Sequence, residues 1–139
     1  MNSQSRGRLS GVLVLGLLLA GCGTLEKDKR ARGLQAATTG YHAALRWGYF
    51  ETAYGYVHPD QRTGKELPSV FKDLRVTEYD VVQPLAGTGA GQTEATQTVT
   101  IDYLFEDRQV VKTVLDRQVW RYDPKLATWW LASGLPKFQ

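Results

Sequence analysis

The chain has a single cysteine, Cys22, among 139 residues, so no disulfide bond can form within it. It also lacks a long apolar run, because its most apolar stretch, residues 9–19, is well short of the ~20 residues that a membrane-spanning helix needs. Neither sign of charge predominates, because 17 Lys and Arg residues are nearly balanced by 14 Asp and Glu residues. These absences argue against a disulfide-stapled scaffold and a permanent transmembrane protein. They predict a domain held by its hydrophobic core alone.

The apolar stretch ends in Leu19-Ala20-Gly21-Cys22 and follows a cationic segment that has no acidic residue. This order is typical of an export signal. The four residues resemble the lipobox of bacterial lipoproteins, which implies cleavage before Cys22 and acylation of its sulfur. Two or more acyl chains hold a protein stably in a bilayer. We therefore expect a lipoprotein signal peptide over 1–21, a lipidated tether over 22–29 and one domain over 30–139.

In that lipoprotein family, an Asp after the cysteine commonly retains the protein in the inner membrane, and Gly23 stands there in this chain. The resemblance therefore implies an outer-membrane anchor, with the domain facing the periplasm. Loss of the signal peptide lowers the Lys and Arg count from 17 to 15 and leaves a net charge of +1. So small a charge gives no electrostatic basis for binding nucleic acid.

Apolar residues recur at spacings of three and four from Arg30 to Leu45, which predicts a first helix. Trp47-Gly48-Tyr49 predicts a break, and a second helix should end before Pro59. Beyond Leu67 the period changes to two. The sequence then predicts a bulged strand over 74–81, a flexible connection over 84–92 and a long hairpin over 94–122. A last strand over 128–133 and a tail over 134–139 should follow. Helices followed by antiparallel strands indicate an α+β fold, with helices packed on a curved sheet of about four strands.

Three segments carry a resemblance to the nuclear-transport-factor-2-like superfamily, whose members are cones of helices closed by a curved sheet. They are the Tyr41-x-x-Ala44-Leu45-x-x-Gly48-x-Phe50-x-x-Ala53 run, the Val-rich hairpin, and the Trp120-x-Tyr122 and Trp129-Trp130-Leu131 strand endings. The resemblance covers residues 30–133. A cystatin-like roll is the alternative topology.

A symmetric hairpin around Asp107-Arg108 brings four polar residues together on the apolar sheet face: Gln97, Asp116, Gln118 and Ser133. The favoured interpretation is that sheet curvature lifts them to an open rim, where water satisfies them. The alternative is the polar floor of a ligand pocket. There Asp116, with a raised pKa, would serve as a general base, as carboxylates do in the isomerases of this superfamily.

Six of the fifteen aromatic residues lie between Tyr41 and Tyr56, and their helical spacing favours a role in the core. Trp47 and Tyr56 fall outside the apolar stripes. We expect both to be exposed and regard them as candidate contacts for a partner.

His42 and His58 lack metal-ligand spacing, and the chain contains no nucleophile elbow, phosphate-binding loop or pair of catalytic carboxylates. We expect no metal or cofactor. The sequence is best interpreted as a membrane-anchored envelope lipoprotein that acts as a non-enzymatic binding or assembly module for a protein partner or an apolar ligand. The alternative is a small isomerase- or dehydratase-like enzyme that uses Asp116 as its base.

Overall fold

The computed structural model describes residues 20–62, 64, 66–88 and 92–139, so nearly all of the expected signal peptide lies outside the described residues. Two helices, α1 (Ala20–Arg46) and α2 (Phe50–Gly55), precede two 3₁₀ turns, Pro59–Gln61 and Ser69–Phe71. Four strands follow: β1 (Leu74–Thr88), β2 (Glu94–Phe105), β3 (Lys112–Asp123) and β4 (Thr128–Leu131). They form an antiparallel sheet in the order β1-β2-β3-β4, and α1 packs on it. The predicted α+β class is confirmed.

Helix α1 begins ten residues before the predicted start at Arg30. The segment expected to be a tether, residues 22–29, is helical and exposed on every residue. Its Leu, Glu and Lys residues have high helix propensity. The rest of α1, which packs on the domain, is already helical, so extending it through 22–29 does not require the costly first turn of an isolated helix. At the other end, the predicted break is confirmed, with Gly48 at a φ of 76°.

The sheet register agrees with the sequence prediction. Val99 lies opposite Asp116, and Gln97 lies opposite Gln118. Trp120 pairs with Leu131 on β4. The register is correct because strict alternation in both strands leaves one pairing that buries the apolar face. Only the strand ends differ: β3 begins at Lys112 and not at Val110.

Strand β1 corrects the prediction of a flexible connection over 84–92, because the strand continues through Pro84 to Thr88. The predicted bulge after Val76 is present, and two further register shifts flank Gln83. Strand β1 is at the edge of the sheet, where a proline that cannot donate a ladder hydrogen bond is tolerated.

The opposite edge of the sheet is covered by the chain itself. Leu131 N donates to Tyr56 O at 2.7 Å, and Val57 forms a parallel bridge to Leu131. One edge is therefore paired, while the other is interrupted by bulges and a proline. Both arrangements reduce unwanted strand pairing with other molecules.

The core lies between α1 and the sheet. Tyr41, Leu45, Trp120 and Leu131 are fully buried there. The segment over 134–139, expected to be a tail, instead packs on this core. The buried Phe138 ring lies edge-on to Phe71 and Tyr103, with centroids 5.6 and 4.8 Å apart. The segment packs on the core because its two large apolar side chains, Leu135 and Phe138, gain free energy by leaving water, although it has no regular secondary structure.

Candidate functional site

The polar residues of β3 face the core. Asp116 and Gln118 are two residues apart, so their side chains point to the same side of the sheet, beneath α1. Asp116 is 8% exposed and Gln118 is 1% exposed. The favoured interpretation, an open and wet rim, is therefore wrong for these two residues. The sheet keeps its alternation through both positions, and Tyr41 of α1 lies close enough to Asp116 to be affected by its charge.

Gln118 is at the centre of a hydrogen-bonded chain. Its Nε2 donates to Tyr79 Oη at 2.8 Å and to Asp116 Oδ2 at 3.0 Å. Its Oε1 accepts a hydrogen bond from Trp120 Nε1 at 3.2 Å. Both amide protons and the amide oxygen are thus used, which is the condition for burying an amide at low cost. Through this one residue, a side chain of β1 is connected to two side chains of β3.

Burial raises the pKa of Asp116 to about 6, and the hydrogen bond from Gln118 offsets part of this shift. Burial also raises the pKa of Tyr79 to about 12. The pKa of Tyr41 is raised well above its usual value by burial and then by the negative charge of Asp116. Within the described residues, Tyr41 Oη is buried without a hydrogen-bond partner. The polar cluster of Tyr41, Tyr79, Asp116 and Gln118 is therefore only partly satisfied.

Aromatic rings fill the space above this cluster. Tyr41 and Trp120 meet edge-to-face with centroids 5.6 Å apart, and Tyr56 packs edge-on against both. Phe50 and Tyr54 from α2 are also buried. Asp116 itself is 8% exposed, so little of its carboxylate is open to solvent.

The other two predicted pocket residues are more exposed than Asp116 and Gln118. Gln97 is half-buried on β2, opposite Gln118. Ser133 is exposed beyond the end of β4, where its Oγ accepts a hydrogen bond from Val119 N at 3.1 Å. The alternation that predicted its inward direction ends at Leu131, because the chain turns toward Gly134, whose φ is 77°.

His42 on α1 packs against Tyr79 on β1, a contact that the sequence pattern did not predict. The imidazole stacks on the Tyr79 ring, with centroids 4.1 Å apart and an angle of 12° between the planes. Burial, followed by the nearby Arg46 charge, lowers the pKa of His42. Its position next to Tyr41 in the sequence could have indicated that His42 is partly buried. The strand that it contacts could be identified only from the structure.

The two candidate partner contacts have different outcomes. Trp47 is 69% exposed, as predicted. Tyr56 is half-buried, so the prediction that it is exposed is wrong. Its ring packs against α1 at Gly40, where an added Cβ would clash with the Tyr56 hydroxyl. The exposed aromatic neighbour of Trp47 is instead Tyr49, which is 66% exposed.

A groove lies beside Trp47, between the end of α1 and the start of β1. We call it the Trp47 groove, and its lining includes Arg46, Trp47, Leu74, Arg75 and Glu106. The Arg46 Cζ lies over the indole, 5.2 Å from the ring centroid, while its Nη1 donates to Val76 O at 3.1 Å. Arg75 Nε and Glu106 Oε1 are 3.8 Å apart. The groove therefore combines a fixed aromatic ring with charged donors and an acceptor.

The single cysteine is exposed near the beginning of α1. Over residues 20–62, 64, 66–88 and 92–139, none of the helices is both long and apolar enough to cross a bilayer. In the same part of the chain, no group of three His, Cys, Asp or Glu side chains is placed to hold a metal ion.

The chain matches no protein-family model, and comparison with curated proteins and with solved structures finds no significant match.

Proposed function

We propose that this chain is an envelope lipoprotein, anchored in the outer membrane through an acylated Cys22, whose domain acts as a non-enzymatic binding module facing the periplasm. The observation that carries the proposal is the lipobox-like Leu19-Ala20-Gly21-Cys22 sequence behind a cationic segment. The exposure of Cys22 supports it. Cys22 precedes the part of α1 that contacts the domain, where the Arg30 carbonyl accepts a hydrogen bond from Trp129 Nε1 at 3.0 Å.

We also assign the domain to the cone-shaped fold of the nuclear-transport-factor-2-like superfamily, with a cystatin-like roll as the alternative. The order of helices before an antiparallel meander supports this assignment. An enzyme that uses the cone would need an open cavity in its interior. Here Tyr41 and Trp120 occupy the space beneath α1, which favours a surface-binding role over chemistry inside the domain.

The anchor is tested by labelling cells with a fatty-acid analogue. We expect label on the wild type and on Gly23→Ala, and none on Cys22→Ala. Gly23→Ala is a matched control because an added Cβ meets no atom within 4 Å. Equal labelling of the wild type and Cys22→Ala, or an uncut chain dissolved in the cytosol, would disprove the anchor. Gly23→Asp should move the labelled protein to the inner-membrane fraction, as the lipoprotein resemblance implies.

The alternative is an isomerase- or dehydratase-like enzyme with Asp116 as general base. One observation favours it: burial raises the pKa of Asp116 to about 6, close to what a base working at neutral pH needs. It requires a small apolar substrate to enter between α1 and the sheet. Such entry would shift the NMR signal of the buried Trp120 indole N–H, which bonds to Gln118. If a panel of apolar carbonyl compounds leaves that signal unmoved, the alternative is removed.

A further inference from the structure

The start of α1 carries a face that the domain leaves uncovered. Every residue from Cys22 to Lys29 is exposed, and so is Arg32. In a flexible tether these side chains would have no fixed relation to one another. They belong instead to one continuous helix, Ala20–Arg46, in which each residue is rotated by about 100° from the one before it. The helix therefore fixes which of them point in the same direction.

Four side chains point to the same side of this helix. Spacings of three, four and three residues place them within about 80° around the helix axis. They are Cys22, Leu25, Lys29 and Arg32, and we call them the anchor face. Leu34 and Leu45, which pack on the core, point about 160° to 180° away from the centre of this face. The anchor face is thus turned away from the core.

The anchor face combines three chemical features. Cys22 carries the sulfur that is acylated in the proposed function, and Leu25 is an apolar side chain that is 60% exposed. Lys29 and Arg32 are cations. In the part of the chain that the structure describes, neither of these cations forms an ion pair. Their positive charge is therefore available to an external anion.

The other charged residues of the segment point elsewhere. The side chains of Glu26 and Asp28 lie about 80° to either side of the centre of the anchor face. Lys27 is on the opposite side of the helix. The Arg30 guanidinium lies over the Tyr122 ring, 5.5 Å from its centroid. The anchor face itself therefore carries two cations and no anion.

The position of the acyl chains favours a lipid surface as the occupant of this face. Acyl chains on the Cys22 sulfur would leave the helix from the same side as Leu25 and the two cations, a step that rests on the proposed function. A protein partner would have to fit between this side of the helix and the bilayer that those chains enter. A helix that lies on a bilayer buries its apolar residues near the acyl boundary and holds Lys and Arg at the headgroup phosphates.

The direction of the helix decides whether both cations reach the bilayer. Along the axis, Lys29 and Arg32 are about 10 and 15 Å from Cys22. If the helix were perpendicular to the bilayer, Arg32 would be beyond the ~10 Å over which a charge acts at 0.1 M ionic strength. If the helix is parallel to the bilayer, both cations and Leu25 reach the surface together.

We propose that residues 22–32 of α1 lie along the surface of the bilayer that holds Cys22, with Leu25 at the acyl boundary and Lys29 and Arg32 bound to anionic phospholipid headgroups. The core side of α1 and the sheet then face away from the bilayer. The acyl anchor supplies attachment, and the anchor face supplies orientation.

The test uses the acylated chain in two kinds of vesicle. One kind contains neutral phosphatidylcholine alone, and the other also contains anionic phosphatidylglycerol. Hydrogen exchange read by mass spectrometry reports how often the amides of residues 22–32 open. We expect slower exchange in the anionic vesicles, because the headgroups stabilise turns that otherwise fray. Raising the ionic strength to 1 M should remove the difference, since it shortens the Debye length to about 3 Å.

Two lysines of the same segment give a matched pair of variants. In anionic vesicles Lys29→Gln should speed exchange about fivefold, the equivalent of ~1 kcal/mol for one cation at the surface. Lys27→Gln should leave exchange nearly unchanged, because Lys27 is on the opposite side of the helix. Unchanged exchange in β2 and β3 shows that each variant keeps its fold.

Three results would overturn the proposal. The first is equal exchange of residues 22–32 in neutral and anionic vesicles. The second is an equal effect of Lys27→Gln and Lys29→Gln, which would mean that the helix has no fixed side toward the bilayer. The third is exchange that is slow in native membranes and fast in both kinds of vesicle, which would mean that an envelope protein covers the face.

Flotation of the same vesicles separates this proposal from the acyl anchor. A chain that floats with both kinds, but exchanges equally in them, keeps the anchor and removes the contact. A chain that floats only with anionic vesicles, and only when Lys29 is present, removes the anchor and keeps the contact. Flotation with neither kind removes both.

Discussion

The polar cluster beneath α1 and the Trp47 groove use the same kinds of side chain under opposite conditions. In the cluster, a carboxylate, an amide and an indole are sealed in the core, and Gln118 connects Asp116 to Trp120. In the groove, a carboxylate, the Arg75 guanidinium and an indole are exposed to water, while the half-buried Arg46 lies beside them. Burial shifts the pKa of Asp116 and fixes the rings. Exposure leaves the groove free to contact a ligand. Residue types alone therefore do not locate a binding site, because similar side chains are accessible to a ligand in one region and buried in the other.

The largest expected difference is between the two tryptophans. Trp120→Ala should lower the free energy of unfolding by about 4 kcal/mol, because it removes a fully buried ring and the hydrogen bond to Gln118. Trp47→Ala should change it by less than ~0.5 kcal/mol, as exposed substitutions usually do. Urea denaturation measures both. A large loss for Trp47→Ala would mean that the groove is part of the core after all.

The next difference concerns pH. The pKa of Asp116 is about 6 in the fold against 3.8 for an unperturbed carboxyl, so the folded state holds its proton more tightly between these values. Stability should therefore fall as pH rises from about 4 to about 6, by up to ~3 kcal/mol, and then level off. Asp116→Asn should abolish this fall and be more stable than the wild type at pH 7. Denaturant titrations across that pH range measure the effect.

The matched control for Asp116→Asn is Glu106→Gln in the Trp47 groove, where the carboxylate is exposed. That variant should keep the wild-type fall in stability between pH 4 and pH 6. If Asp116→Asn also keeps it, another buried group is responsible and the role given to Asp116 is wrong.

The smallest effects concern two glycines. Gly40→Ala should lose about 1 kcal/mol, because the clash with the Tyr56 hydroxyl outweighs the gain in helix propensity. Gly48→Ala should lose about as much for a different reason, its φ of 76°. Asparagine tolerates that φ, so Gly48→Asn should recover stability, while Gly40→Asn should not. Thermal unfolding separates them. Recovery by Gly40→Asn would show that Tyr56 moves freely.

Much of the fold could be predicted from local pattern. The stripe of α1 through Tyr41 and Leu45 is buried, and the pairing of Val99 with Asp116 is correct. These predictions succeeded because helical spacing and strand alternation each leave one arrangement that buries the apolar side. The same register correctly placed Asp116 and Gln118 on the apolar face.

The errors share a cause, which is that the deciding contact is distant in sequence. Tyr56 is half-buried because Gly40 lets it approach α1, and Phe138 is buried because Phe71 and Tyr103 receive it. Pro84 continues a strand because β1 is at an edge. Asp116 likewise belongs to a buried polar cluster that includes Tyr79, which is far from it in sequence.

By itself, the sequence determined the class of fold, the faces of its elements and the resemblance of Cys22 and its neighbours to an acylation signal. Each depends on residues close together in the chain, where spacing and residue chemistry suffice. Only the tertiary structure decided that Tyr41 and Trp120 are packed together in the core, that Asp116 and Gln118 are buried beside them, and that a groove remains open beside Trp47. Packing between distant elements determines burial, and burial determines which polar and aromatic groups are accessible to a ligand.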